Sequence, residues 1–171
     1  MAAKIRYLKM CGFCWVTLHL LTYLLTYLLT GPMYGVSGRA VQISSSDQVI
    51  LSANDQGATP FLLVGCREWA TLVEALRSQC YSLVDANHPD RYVRHYGYFL
   101  RVDPESNPLN APVFDLDSSF ILHADTFYPG YYALESVNYP NHYIQSQDDG
   151  RLKIAPQQDT VAYRDTASFK F

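Results

Sequence analysis

Hydrophobic positions along this chain fall into two regimes. From Met10 to Thr30 runs MCGFCWVTLHLLTYLLTYLLT, free of Asp, Glu, Lys and Arg, until Gly31-Pro32 interrupts it. From Arg39 onward the apolar residues come in short β-branched and aromatic runs, separated by Asn-x-Pro, Asp-Pro and Asp-Asp-Gly turns. The first regime predicts an N-terminal hydrophobic helix and the second an all-β domain. One segment departs from the second regime. In CREWATLVEALRSQC, residues 66–80, Trp69, Leu72, Val73 and Leu76 recur at helical spacing, which predicts a short helical insertion at about 67–79.

The β regime repeats itself. Asn87, Pro89 and Tyr92 return as Asn138, Pro140 and Tyr143, each 51 positions on. Leu100-Arg101-Val102-Asp103-Pro104 returns as Leu152-Lys153-Ile154-Ala155-Pro156, and Phe114 to Phe120 returns as Tyr163 to Phe169. A fainter copy precedes them, with Val49-Ile50-Leu51 as its middle strand and Ala58-Thr59-Pro60-Phe61 as its end. The repeats span about 39–64, 82–120 and 133–171. A unit of this size cannot bury its apolar face alone, so three imperfect repeats predict a β-trefoil closed on a shared core. A β-sandwich with a chance duplication is the competing architecture.

The apolar stretch holds 21 residues, about 31 Å of helix, the thickness of one hydrocarbon core. Lys4, Arg6 and Lys9 flank it, which holds the N-terminus in the cytosol and sends the rest across a membrane. Residues 1–38 thus read as a signal peptide or signal anchor. Cleavage is the preferred reading, with small residues at Val36-Ser37-Gly38, although the stretch exceeds the usual apolar core of a signal peptide. Either way the domain over 39–171 is secreted or membrane-anchored outside the cytosol, and it meets the membrane only through that helix.

Charge and cysteines sharpen the picture. All 16 acidic residues follow Gly38, against 10 basic ones (the 13 of the chain less Lys4, Arg6 and Lys9), so the exported part carries about −6. That balance disfavours nucleic acid and anionic membrane surfaces as partners. Cys11 and Cys14 read as ordinary residues of the targeting helix, whereas Cys66 and Cys80 lie where oxidation is permitted and are expected to form a disulfide. One straight helix between them would hold them about 21 Å apart, while a bridge needs Cα atoms within about 7 Å. The helix must therefore be shorter than the segment and its ends must curl back.

Asn-x-Pro-x-Arg-Tyr-Val-Arg-His over 87–95, then Leu-Arg-Val-Asp-Pro over 100–104, then Phe-x-x-Asp-x-Ser-Phe over 114–120, resembles the arabinose-binding (AbfB) domain of α-L-arabinofuranosidase B enzymes. That family is a β-trefoil carbohydrate-binding module for arabinofuranose side chains of hemicellulose. The resemblance is strong over 82–120, weaker over 133–171 and faint over 39–64. It implies a sugar site at His95, Tyr96 and Asp117, and an arabinofuranose-bearing polysaccharide or glycan as partner. The residue chemistry agrees: a carboxylate accepts hydroxyls, an imidazole donates, and Tyr96 or Tyr98 offers a stacking face.

Arg94 is expected to pair with a neighbouring carboxylate, and Asn87 and Asn138 to close their own turns. In the last unit the histidine position is Ser146 and the aspartate position Thr166, with Asp165 one step off and, in a strand, on the other face. The expectation is one competent pocket at most, in the middle repeat.

Other function classes stay open at this point. Glycoside hydrolysis needs two carboxyls about 5–10 Å apart. Asp103, Glu105, Asp115, Asp117, Asp125 and Glu135 are available, but nothing in the sequence selects a pair. Nor does it hold a nucleophilic triad order, a phosphate loop or a metal-spaced His cluster, so no catalytic residue, metal or cofactor is assigned. In the resembling enzymes catalysis resides in a separate large domain. Hydrolase activity of its own is the least favoured reading, and a secreted β-trefoil that binds a protein partner through its surface is the alternative.

Overall fold

The computed structural model describes residues 30–52, 57–67, 72–106 and 113–171. The expected apolar helix lies outside them except for Thr30, which opens a β-strand. Among the described residues no helix is long and apolar enough to cross a membrane.

The strands are β1 (Thr30–Pro32), β2 (Tyr34–Gly35), β3 (Val41–Ile43), β4 (Val49–Leu51), β5 (Pro60–Gly65), β6 (Cys80–Asp85) and β7 (Arg91–Tyr96). They continue as β8 (Phe99–Pro104), β9 (Phe120–Ala124), β10 (Tyr132–Ser136), β11 (His142–Ser146), β12 (Leu152–Pro156) and β13 (Phe169–Lys170). The described helices are single turns or little more: α1 (Glu74–Arg77), α2 (Phe114–Asp117) and α3 (Val161–Thr166). The protein is all-β, as the alternation predicts.

Pairing follows one rule throughout. β1 pairs β5, β5 pairs β6, β6 pairs β9, β9 pairs β10, β10 pairs β13, and β13 pairs β2, so the chain of pairings returns to its start. The remaining strands form three hairpins, β3–β4, β7–β8 and β11–β12, and isolated bridges Gln48↔Arg101 and Ile50↔Arg151 and the pair Lys153↔Phe99 tie these to one another.

The register repeats as well. Phe61 sits between Gly31 and Asp85, Phe120 between Tyr81 and Ser136, and Phe169 between Tyr132 and Gly35. Residues 31–35, ahead of the expected boundary at residue 39, thus take the ring position that 81–85 and 132–136 take in the later units.

This register gives the core its make-up. Met33, Phe61, Leu83, Phe120, Leu134 and Phe169 come from successive ring strands and are buried together. Val41, Val49 and Leu51, then Val93, Leu100 and Val102, then Ile144, Leu152 and Ile154, plug the barrel from the three hairpins. Each strand therefore spends its inward positions on one shared core and contributes only part of it.

The 66–80 segment leaves the β5–β6 hairpin, whose pairing Gly65↔Tyr81 sets Cys66 opposite Cys80. They are bridged, with Cα atoms 5.2 Å apart, and the Cys66 amide donates to the Cys80 carbonyl. The described helix of the insertion is only Glu74–Arg77, shorter than the expected 67–79, which removes the geometric obstacle to the bridge. Arg77 closes that turn by bonding Glu74 and the Leu72 carbonyl.

Candidate functional site

His95 sits on β7 opposite Leu100 of β8, and Asp117 ends the short helix α2. The structure brings the two together: His95 Nε2 lies 3.4 Å from Asp117 Oδ1. A third residue joins them. Asn138, in the turn after β10, donates its Nδ2 to Asp117 Oδ1 at 2.8 Å, and its Oδ1 lies 2.9 Å from His95 Nε2. Ser136 Oγ donates to the same Asn138 oxygen at 2.8 Å and lies 3.2 Å from the imidazole.

The logic of donors fixes the histidine tautomer. A carboxylate only accepts, so the amide nitrogen of Asn138 faces Asp117 and its oxygen faces His95, whose Nε2 must then carry the proton. Burial lowers the pKa of His95, opposed by the Asn138 bond and the charge of Asp117, and furthered by Arg94 and His142. The neutral imidazole is therefore the form this site holds.

Arg94 behaves as expected. Its Nε meets Asp103 at 2.6 Å and its Nη1 meets Asp117 Oδ2 at 3.5 Å, all three side chains being buried. Arg101 adds a second cation to Asp103 at 2.8 Å. The guanidiniums of Arg94 and Arg101 lie 5.0 and 5.9 Å from the ring centroid of Tyr96. Tyr96 is 63% exposed, so it stands at the rim, against the guanidiniums of Arg94 and Arg101.

The aromatic ring beside His95 comes instead from the next unit. Tyr139 meets the imidazole edge-on at 5.3 Å, and Tyr98 meets Tyr139 at 5.5 Å. Tyr98 occupies a costly conformation: the β7–β8 turn places Gly97 at φ 56° and Tyr98 at φ 71°. Two successive residues at positive φ match the twist of a two-residue hairpin turn, which glycine accepts and tyrosine adopts only at a cost. The turn holds Tyr98 at the hairpin tip, half exposed, against Tyr139.

Asn138 was expected to close its own turn, and that expectation is corrected. Its carboxamide spans the side chains of another unit because the turn following β10 folds over the β7–β8 hairpin and α2. Asn-x-Pro recurring 51 positions on is visible in the sequence. That the turn of one unit completes the site of the one before becomes visible only with the register of Phe120 against Ser136.

The expectation of a single concave site in the middle repeat is also corrected. Ser146 pairs with Leu152 as His95 pairs with Leu100, and Thr166 precedes Phe169 as Asp117 precedes Phe120. Gly35 faces Phe169 as Ser136 faces Phe120, which makes Ser37 the counterpart of Asn138. Around this equivalent set opens a cavity of about 470 Å³, lined by Ser37, Arg39, Ser146, Asp148, Asp165 and Thr166 among others. A smaller one of about 290 Å³ adjoins it across Ser146–Asp148.

A strand at this point would turn Asp165, one step off the aspartate position, to the other face. Asp165 lies in helix α3, not in a strand, so neighbouring residues can line one cavity. Its carboxylate accepts a hydrogen bond from Tyr128 Oη at 2.6 Å.

Buried charge hydrogen-bonded by a side chain of the next unit, hydroxyl-sized donors and acceptors, and aromatic rings at the rim are the equipment of a polar-ligand module. Comparison gives it a family. Residues 44–171 match the model of the α-L-arabinofuranosidase B (AbfB) domain, and the chain belongs to that family. Among solved structures it is similar to an arabinofuranosidase complexed with arabinofuranosyl-α-1,2-xylobiose, with a TM-score of 0.63 and 18% identity, over 82% of this chain. The chain spans 30% of the length of that enzyme.

The same fold appears in a mosquitocidal holotoxin (TM-score 0.60, 9% identity, 82% of this chain and 16% of that one). It appears again in chicken interleukin-1β (TM-score 0.58, 14% identity, 82% of this chain and 94% of that one). No match was found among curated protein sequences.

Proposed function

We propose that this chain is a β-trefoil carbohydrate-binding domain, acting outside the cytosol, whose middle unit recognises an arabinofuranosyl side chain. The observation that carries the reading is the convergence of His95, Asp117 and Asn138 from two units of an AbfB-family fold. Vicinal hydroxyls of a small sugar ring need an acceptor carboxylate beside a neutral donor imidazole, and His95 with Asp117 supplies both. Tyr96, Tyr98 and Tyr139, exposed at the rim, offer apolar faces to the rest of the oligosaccharide.

Binding without hydrolysis is the preferred form of this function. The similar arabinofuranosidase is more than three times as long as the part this chain covers. The Cys66–Cys80 bridge supports an oxidising compartment.

Calorimetric titration of the oxidised full-length chain with arabinofuranosyl-α-1,2-xylobiose tests the reading. A single sugar site should give a Kd of roughly 0.1–1 mM, or about −4 to −5.5 kcal/mol. His95→Ala and Asp117→Ala should each remove most of the heat, since a lost ligand hydrogen bond costs about 1–3 kcal/mol. Arabinose released during the titration would mark an enzyme instead. No heat in any protein would sink sugar binding and leave a protein partner as the reading.

A further inference from the structure

We propose that Asn138 is the shutter of the middle site: its carboxamide holds the place of the sugar and must swing aside for a ligand to enter. The proposal rests on the sugar-binding reading above and adds a gating residue to it.

Complementarity is the first argument. Asn138 presents one donor to Asp117 Oδ1 at 2.8 Å and one acceptor to His95 Nε2 at 2.9 Å. A vicinal diol would present the same pair, one hydroxyl donating to the carboxylate and its neighbour accepting from the imidazole. With the amide in place, His95 is 4% exposed and Asp117 8%, so the two groups that would recognise a sugar face the protein's own side chain. Tyr139, next in sequence, covers the imidazole edge-on, so the cover comes from one turn.

The molecule carries its own control. At the equivalent junction between the third unit and the first, His95, Asp117 and Asn138 are replaced by Ser146, Thr166 and Ser37, and there the cavity of about 470 Å³ is open. Short hydroxyl side chains leave room, whereas a carboxamide in the same register bridges the gap. Asn138 is itself only half-buried, so its amide has a way out to solvent without unfolding of the turn.

The test is an NMR titration of the ¹⁵N-labelled, oxidised full-length chain with arabinofuranosyl-α-1,2-xylobiose, run on wild type, Asn138→Ala and Asn138→Ser. Sugar should move the Asn138 side-chain NH₂ signals of the wild type to those of a solvent-exposed carboxamide. Both variants should bind about tenfold more tightly, because a competitor held by about one hydrogen bond's net free energy is gone. The serine variant copies Ser37, so it keeps a side chain the fold already accepts at the equivalent position, and its backbone amide spectrum checks the fold.

Binding by the variants alone would also support the shutter. If the wild type binds but the Asn138 signals stay put, or the variants bind equally or more weakly, Asn138 is fixed scaffold; the shutter is overturned and the sugar site stands. Absence of binding in all three proteins overturns the sugar reading and the shutter with it.

Discussion

Phe169 of the last strand pairs with Gly35 of the first, in the register that joins Phe120 to Ser136. That pair closes the ring. It also commits Met33, fully buried between β1 and β2, to the core. A chain shortened to residue 39, as cleavage at Val36-Ser37-Gly38 would leave it, loses the sixth ring strand and leaves β5 and β13 unpaired on one side. Such a chain is expected not to show a cooperative thermal transition. In the full chain Met33→Ala should cost about 2–5 kcal/mol by urea denaturation. N-terminal sequencing of material secreted from cells gives the complementary check: a folded product beginning after Gly38 would contradict the role given to 31–35.

The Cys66–Cys80 bridge clamps the base of the 66–80 insertion across a sequence separation of 14. Closing a loop of that size restricts the unfolded chain by about 3 kcal/mol. Cys80→Ser should therefore lower stability by about that amount. It should leave sugar binding in place, since the pairings of β6 with β5 and β9 hold the segment beside Phe120 independently of the bridge. A variant as stable as wild type would show that the β5–β6 pairing suffices alone.

Arg94 and Asp103 are buried together at 2.6 Å, with Asp117 and Arg101 as further partners. Removing one member of such a pair leaves a buried charge short of its counter-charge, at a cost of about 3–5 kcal/mol. Asp103→Ala is expected to fall in that range by chemical denaturation. The surface pair Arg151–Asp149, 41% and 50% exposed, provides the contrast. Asp149→Ala should leave the denaturation midpoint nearly unchanged, because water screens an exposed pair. Equal effects at the two sites would mean that Arg94 finds solvent when its partner is lost.

Much of this architecture is legible in the sequence because the strands are short and the apolar residues alternate. The repeated Phe of 61, 120 and 169 marks the same register position in each unit. The Leu-x-Val and Leu-x-Ile runs of 100–102 and 152–154 mark the hairpins, and His95 and Asp117 could be paired from the motif alone. What stayed hidden depends on neighbouring units meeting. The segment 31–35 looks like the break that follows an apolar helix, because Gly31-Pro32 reads as a stop and nothing local shows that β5 and β13 need a partner. Asn138 looks like a turn former, because side chains that serve another unit obey no periodicity. Asp165 is hidden for a simpler reason: the repeat suggests a strand where the chain forms a helical turn.

His95 sets the last prediction. Its imidazole is buried against Asn138, Ser136 and Tyr139, with Asp117, Arg94 and His142 as the charged and titratable groups around it. Burial dominates, so the folded pKa lies below the ordinary histidine value of 6.5. The sign follows from linkage: as pH falls past 6.5 the unfolded chain takes up a proton before the folded one does. Stability is thus full above pH 6.5, declines as pH drops toward the lowered folded value, and loses nothing more from this group below it. His95→Gln, which keeps a polar side chain beside Asn138 and removes the titration, should flatten that part of the stability profile. Urea midpoints measured for both proteins between pH 7.5 and 4.5 decide the matter. Parallel profiles would mean that His95 reaches solvent and protonates in the folded state as readily as in the unfolded one.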